Sequence, residues 1–173
     1  MRIIAALLFA SCCAAAAQAA TTAPQAPASS TSARVVITGW KLECDPVRGT
    51  LECRAIDQIL GQNGSLVIGF TLTQGTGGKV ELTMDAPLGV SVRTPVAVSM
   101  PGGPSQNFTF LACSQQGCFA TGVLDDGLLA AMRAGKSDLH VTYGLLDTNL
   151  AEHEVTATIP LTGFAEVSNR LKQ

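Results

Sequence analysis

Two pairs of cysteines are the residues of this chain best placed to do chemistry. Cys113 and Cys118 enclose the stretch SQQG, and Cys44 and Cys53 enclose DPVRGTLE. Thiols at such spacings can form a redox centre, bind zinc or close a disulfide. A redox centre usually has C-x-x-C at the start of a helix that follows a strand, where the helix dipole lowers a thiol pKa. Neither pair has that spacing, and the residues after Cys118 are strand-like.

A disulfide is the chemistry that these spacings favour. Zinc would need all four thiolates, and C-x8-C and C-x4-C are not the usual spacings of a zinc knuckle. Four cysteines allow three pairings, of which we favour Cys44 with Cys53 and Cys113 with Cys118. A turn within DPVRGTLE would place two antiparallel strands side by side, with their Cα atoms within bridging reach. Each such bond is expected to contribute roughly 2 to 3 kcal/mol through chain entropy.

An export signal sets the redox environment of these cysteines. The opening MRIIAALLFASCCAAAAQAA has one cation, a short apolar run and a small-residue stretch with an A-x-A cleavage pattern. Residues 1–19 are therefore predicted to be a signal peptide cut before Ala20, which sends the chain to a compartment where disulfides persist. A second interpretation is a lipoprotein cleavage box ending at Cys12, which would anchor the chain to a membrane by lipid.

The composition of the chain predicts its domain organisation and excludes one class of partner. Residues 20–34 are small residues, proline and hydroxyls for the most part, so they are predicted to be a disordered linker that cannot bury enough apolar area to offset the entropy of ordering. Residues 35–173 are long enough for a single domain with a real core. The net charge of −2 and the absence of a basic cluster exclude nucleic acid as a partner, because its binders usually carry a basic patch.

Other titratable residues do not converge on a catalytic or metal site. His140 and His153 are expected on the two strands of a hairpin that turns at DTN, with Tyr143 rather than His140 facing His153. Asp125 and Asp126 fit a helix N-cap better than an acid–base pair. There is no G-x-S-x-G motif to supply a serine nucleophile. The sequence therefore predicts no catalytic residue, no cofactor and no metal.

The elements that must position these residues are short strands. In LVIGFTLT, residues 66–73, every second residue is apolar, and VELTMD, residues 80–85, alternates in the same way. Such strands without alternating helices predict an all-β antiparallel sandwich, immunoglobulin-like or jelly-roll-like. One short helix is predicted near 126–134, followed by Gly135 as its C-terminal cap. Further strand-like runs occupy 35–42, 51–59, 89–92, 96–100, 108–113, 119–124, 139–146 and 153–159.

Two aromatic residues are predicted to have structural roles. Trp40 is the only tryptophan, and it is expected to pack on the disulfide that Cys44 forms. Phe164 follows Gly163 near the end of the chain and is expected to seal the sandwich.

The order of several short motifs resembles the invasion-associated locus B family of exported proteobacterial proteins. The matching stretches are GW-x3-C at 39–44, APLGV at 86–90, C-x4-CFA at 113–120, the helix at 128–135 and PLTGF at 160–164. The family commonly closes with SL-x-GF, whereas this chain has Pro160 in place of the serine. The resemblance implies a small all-β, disulfide-containing protein of the periplasm or outer membrane. It implies no catalytic residues.

These observations predict an exported, non-enzymatic protein that binds another protein or an envelope component. Its contact surface is expected at sheet edges and loops, where a rigid scaffold presents binding residues. Two alternatives stay open: a thiol-active or hydrolytic enzyme of the envelope, and a lipid-anchored surface component.

Overall fold

The computed structural model describes residues 36–37, 39–48 and 50–171. The predicted signal peptide at 1–19 and linker at 20–34 lie outside the described residues. The strands are β1 (Val36–Ile37), β2 (Lys41–Val47), β3 (Thr50–Leu60), β4 (Leu66–Gln74), β5 (Val80–Ala86), β6 (Val96–Ser99), β7 (Ser105–Phe108), β8 (Phe110–Cys113), β9 (Cys118–Val123), β10 (Leu139–Leu146) and β11 (Glu152–Ile159). The helices are α1 (Asp126–Ala134) and α2 (Phe164–Arg170), and a short 3-10 helix spans Thr76–Gly78.

The larger of two antiparallel sheets has the order β1-β3-β4-β5-β9-β8, and β2 also pairs with β3. The strands β1 and β2 follow one another along the same edge of β3, since Val36 pairs with Leu60 and Lys41 pairs with Ile56. In β5 every second residue is buried, and in β4 the large buried side chains, Ile68, Phe70 and Leu72, follow the same period, with Gly69 buried between them. That alternation is the one that the sequence predicts, and it turns one face of the sheet toward the core.

The smaller sheet has the order β11-β10-β6-β7. The predicted strand at 89–92 is not formed, because that segment makes only an isolated bridge between Val90 and Leu145. The predicted strand at 108–113 is also wrong in one respect, since it divides at Thr109 between β7 of the smaller sheet and β8 of the larger one. Phe108 and Phe110 on either side both pack into the shared core, so the chain changes sheet without leaving the core.

One hydrophobic core lies between the sheets and joins them to the C-terminal helix. The Trp40 ring contacts Phe164 edge-on at a centroid distance of 4.8 Å and Phe70 at 6.0 Å. Its indole N–H donates to the carbonyl oxygen of Pro160 at 3.2 Å. Phe164 is fully buried, and its burial fixes α2 against the start of β2. The mostly β, antiparallel architecture predicted from the sequence is confirmed.

The predicted helix at 126–134 is confirmed as α1. Gly135 follows it in the left-handed conformation, with φ of 57°, and donates its N–H to the carbonyl of Met132. Asp125 occupies the N-cap position, but its side chain makes no capping hydrogen bond. The carboxylate of Asp126 instead pairs with the ammonium group of Lys79 at 2.8 Å. The predicted N-cap position is therefore found at Asp125, without the side-chain hydrogen bond that the prediction gave it.

The second helix, α2, was not predicted. Its seven residues begin after Gly163, which has φ of 82°, a conformation that suits glycine. The guanidinium group of Arg133 donates to the hydroxyl of Ser168 at 3.1 Å and to its carbonyl at 3.2 Å, which ties α2 to α1. Within the described ranges, neither helix has the length and apolar character needed to cross a membrane.

We predict that Phe164→Ala lowers the free energy of unfolding by about 3–5 kcal/mol, because it leaves a cavity and removes the ring contact with Trp40. Leu111→Ala is the matched control, since Leu111 is 75% exposed, and its effect should stay within about 0.5 kcal/mol. Urea unfolding of the two variants measures both values. Equal effects of the two substitutions would contradict this packing role.

Candidate binding cleft

The four cysteines of the described chain form two disulfides, Cys44–Cys53 and Cys113–Cys118. Each joins residues that pair directly across neighbouring strands, β2 with β3 and β8 with β9. The Cα atoms lie 4.0 and 3.9 Å apart. Each bond therefore closes a hairpin at its own turn, and neither pair presents a free thiol.

The hairpin between β10 and β11 differs from the predicted one by its register. Leu145, not Tyr143, lies opposite His153. The turn is centred one residue later than predicted, at Asn149, because the N–H of Asp147 donates to the carbonyl of Ala151 at 2.9 Å. The carboxylate of Asp147 accepts the backbone N–H groups of Asn149 and Ala151, which stabilises the turn in this position.

The two histidines lie apart on this hairpin. His140 pairs with Thr158, whereas the ring of His153 lies 3.1 Å from the carboxylate of Asp147. In the described part of the chain, no group of three or more His, Cys, Asp or Glu side chains is arranged to hold a metal ion.

An apolar cleft of about 560 Å³ opens between the two sheets. A volume of this size is typical of ligand sites. Its walls come from the ends of β3 and β4 on one side and from β10 and β11 on the other. The lining residues are Ile59, Leu66, Val67, Pro87, Tyr143, Leu145, Val155, Thr156, Ala157 and Thr158.

Tyr143 crosses the gap between the sheets at this cleft. Its side chain is buried, and its hydroxyl donates to the carbonyl oxygen of Val67 at 2.9 Å. Burial raises the pKa of the Tyr143 phenol, which keeps the hydroxyl protonated as a donor. From the sequence, Tyr143 was expected only as the residue opposite His153 and had no predicted role at a site, although it is the only tyrosine and lies in an apolar strand.

A second opening, of about 540 Å³, lies beside the Cys44–Cys53 disulfide. The guanidinium group of Arg54 there pairs with Glu43 at 3.0 Å and with Asp45 at 3.4 Å. Because the cation of this opening is already paired with two carboxylates, the apolar cleft is the stronger candidate for a binding site.

The hydrogen bonds of β10 show which backbone groups of the neighbouring strand β11 point outward beside the apolar cleft. The N–H of Ser91 donates to the carbonyl of Gly144, and the N–H of Leu146 donates to the carbonyl of Gly89. Even-numbered residues of β10 therefore direct their backbone groups away from β11, and odd-numbered residues direct theirs toward it, because the two directions alternate along a strand.

The same alternation applies to β11 itself. Tyr143 pairs with Val155, so the odd-numbered residues of β11 complete the ladder with β10. The N–H and C=O groups of Glu154, Thr156 and Thr158 point the other way. Among the described strands, β11 is the outermost of its sheet, so these groups form a free edge directly beside the cleft.

A family model described as invasion associated locus B (IalB) protein matches residues 40–172. The chain belongs to the invasion associated locus B family. It is 25% identical to the invasion protein B homologs of Brucella abortus strain 2308 and of Brucella abortus biovar 1 strain 9-941, over 87% of this chain and 85% of each relative. The resemblance noted from the sequence motifs is therefore confirmed.

A crystal structure of invasion associated protein b from Bartonella henselae has a similar fold. Its TM-score is 0.67 and its sequence is 24% identical, over 76% of this chain and 89% of the other. This likeness concerns the fold alone. The cleft residues of this family member all lie within the matched range of 40–172.

A carboxylate fastens the first residue of β11 in this member of the invasion associated locus B family. Glu152 accepts hydrogen bonds from the hydroxyls of Thr94 and Ser91, which lower the pKa of its carboxyl group, Thr94 contributing most. The side chain lies across Gly144, where an added Cβ would collide with it. These contacts fix the end of the free edge to the loop before β6.

The carboxylate of Glu152 makes stability depend on pH. Its pKa in the folded chain is lowered, so its contribution to stability is present above the unfolded pKa and disappears as the pH falls through the folded one. We predict that the free energy of unfolding decreases between about pH 5 and about pH 3 and that Glu152→Gln makes this decrease shallower.

Thr94→Val removes the principal donor without changing side-chain shape, and it should flatten the pH dependence in the same way. Urea unfolding across this pH range measures the slope for each variant. An unchanged slope in both variants would show that these hydrogen bonds do not hold the carboxylate.

Proposed function

We propose that this chain is an exported envelope protein that acts by binding another envelope component at the apolar cleft, and not by catalysis. We place it in the periplasm or at the outer membrane. The predicted signal peptide supports this location, and so does membership in a family whose resemblance to this sequence implies export. Two hairpin-closing disulfides suit an oxidising compartment.

The observation that carries the proposal is the apolar cleft between the sheets. A concave apolar surface bordered by polar groups is the usual form of a binding site. Apolar surface left in contact with water is unfavourable by roughly 25 cal/mol per Å². A partner that covered the cleft would recover that free energy.

The positions of the titratable groups support binding over catalysis. Asp85 has a pKa raised by burial, a property that general acids often share. Its direct cross-strand neighbours are Gly69 and Phe119, and neither can exchange a proton with it. We therefore assign Asp85 no catalytic role.

Photo-crosslinking in the native envelope tests this proposal. We predict that a benzophenone amino acid at Leu145, a partly buried residue that lines the cleft on the same face of β10 as Tyr143, yields a discrete adduct with one envelope component. The matched control carries the same group at Thr121, an exposed residue of β9 in the larger sheet, and should not yield that adduct. Val155→Glu places a charge in the cleft and should abolish the adduct.

The fold of each variant is checked by thermal denaturation. Identical adducts from the two positions, or no cleft-dependent adduct in the native envelope, would contradict a binding role for the cleft.

A further inference from the structure

We propose that the occupant of the cleft is an extended polypeptide segment of a partner protein, which adds an antiparallel strand to the free edge of β11. This inference rests on the proposed binding function and names the class of ligand. Strand addition is a recurrent mode of peptide recognition, in which backbone hydrogen bonds supply affinity and pockets for alternate side chains supply specificity.

The free edge and the cleft are aligned for this mode. Val155 and Ala157 pair with Tyr143 and Val141, both of which are buried, so they point toward the core side and line the cleft. In an added antiparallel strand, the residues opposite Val155 and Ala157 would point the same way. Two alternate side chains of the ligand would therefore enter the cleft while its backbone pairs with the edge.

Neighbouring backbone groups favour a peptide over a lipid chain. An acyl chain could fill the apolar volume, but it would leave the N–H and C=O groups of Glu154, Thr156 and Thr158 without a partner from the ligand. A peptide strand satisfies both the apolar volume and this row of donors and acceptors.

Three other outer strands of the described chain carry features that oppose pairing, and the remaining one, β1, has only two residues. The β2 strand contains Lys41 and Pro46, two residues that protect edges. The β8 strand is four residues long and ends at the Cys113–Cys118 disulfide. In β7, the amide of Gln106 spans to the carbonyl of Val123 and the N–H of Asp125.

The β11 strand lacks these protections along most of its length. It has eight residues, and the last five, VTATI, include no charge and no proline. Its first residue, Glu152, is held by the hydroxyls of Thr94 and Ser91, so the edge is ordered in advance of binding. Such preorganisation reduces the entropic cost of association.

The charge of Glu154 predicts the composition of the ligand and its register on β11. Glu154 is exposed and faces Gly144 across the ladder, so no β10 side chain lies opposite it. A lysine or arginine opposite Glu154 in the added strand would form a favourable cross-strand pair. The ligand is therefore an alternating segment: basic opposite Glu154, then apolar residues opposite Val155 and Ala157, with polar residues between.

The test uses a blocked, fluorescent peptide that alternates valine and threonine and has one lysine placed to lie over Glu154. Titration with the mature chain is followed by fluorescence anisotropy. Two N-methylated peptides separate backbone pairing from apolar contact. We predict that methylation of the threonine and lysine amides, which face β11, weakens binding by about tenfold or more, whereas methylation of the valine amides, which face away, has less than about a threefold effect.

Substitutions in β11 give an independent test of peptide binding at this edge. Thr156→Pro removes an edge N–H without breaking the ladder to β10 and should weaken binding by about tenfold, whereas Thr156→Val should bind like the wild type. Should Thr156→Pro fail to fold, Glu154→Lys serves instead. It should weaken binding of the lysine peptide by about threefold and strengthen binding of a glutamate counterpart by a similar factor.

Several outcomes would overturn the inference. These are no binding by the parent peptide, equal loss with both methylated peptides, or a wild-type dimer that Thr156→Pro dissociates, since the occupant would then be a second copy. A cleft-dependent adduct in the envelope without peptide binding would leave the proposed function standing and reject the strand ligand alone. Absence of both would reject the two together.

Discussion

The hydrogen bond from the Tyr143 hydroxyl to the Val67 carbonyl is the contact on which the cleft depends. It joins the smaller sheet to the larger one at the place where the apolar walls do not close on each other. A phenol is long enough to span this gap and polar enough to satisfy a buried carbonyl. An aliphatic residue at this position would satisfy neither requirement. The cleft is thus a built feature of the two-sheet core, held open by an internal contact.

Further contacts fasten the elements of the two sheets to one another. Trp40 and Phe164 lock the C-terminal helix to the core, and Glu152 fastens the start of β11 to the loop before β6. The disulfides close two hairpins of the larger sheet. Within this frame, β11 has open backbone groups with an apolar space beside them, which is the basis of the proposed binding role in this family member.

The sequence predicted those strands and helices that are determined by the pattern of neighbouring residues. Alternation of apolar residues predicted β4 and β5, and the spacing of apolar residues before Gly135 predicted α1. The helix α2 was not predicted, because its seven residues are stabilised by the packing of Phe164 and by the hydrogen bonds from Arg133. These are tertiary contacts, which the local sequence pattern does not reveal. The change of sheet at Thr109 and the register at His153 likewise depend on packing and on the turn that Asp147 holds. Strand order is non-local, so neither the cleft nor the free edge of β11 could be read from the sequence.

Hydrogen exchange of the β11 amides tests the central claim most directly, because exchange reports whether each N–H is in a stable hydrogen bond. The account predicts alternation in the mature chain without ligand: slow exchange at Val155 and Ala157, which donate to β10, and fast exchange at Glu154, Thr156 and Thr158. Slow exchange at all five amides would contradict the account, because the edge beside the cleft would then already be covered.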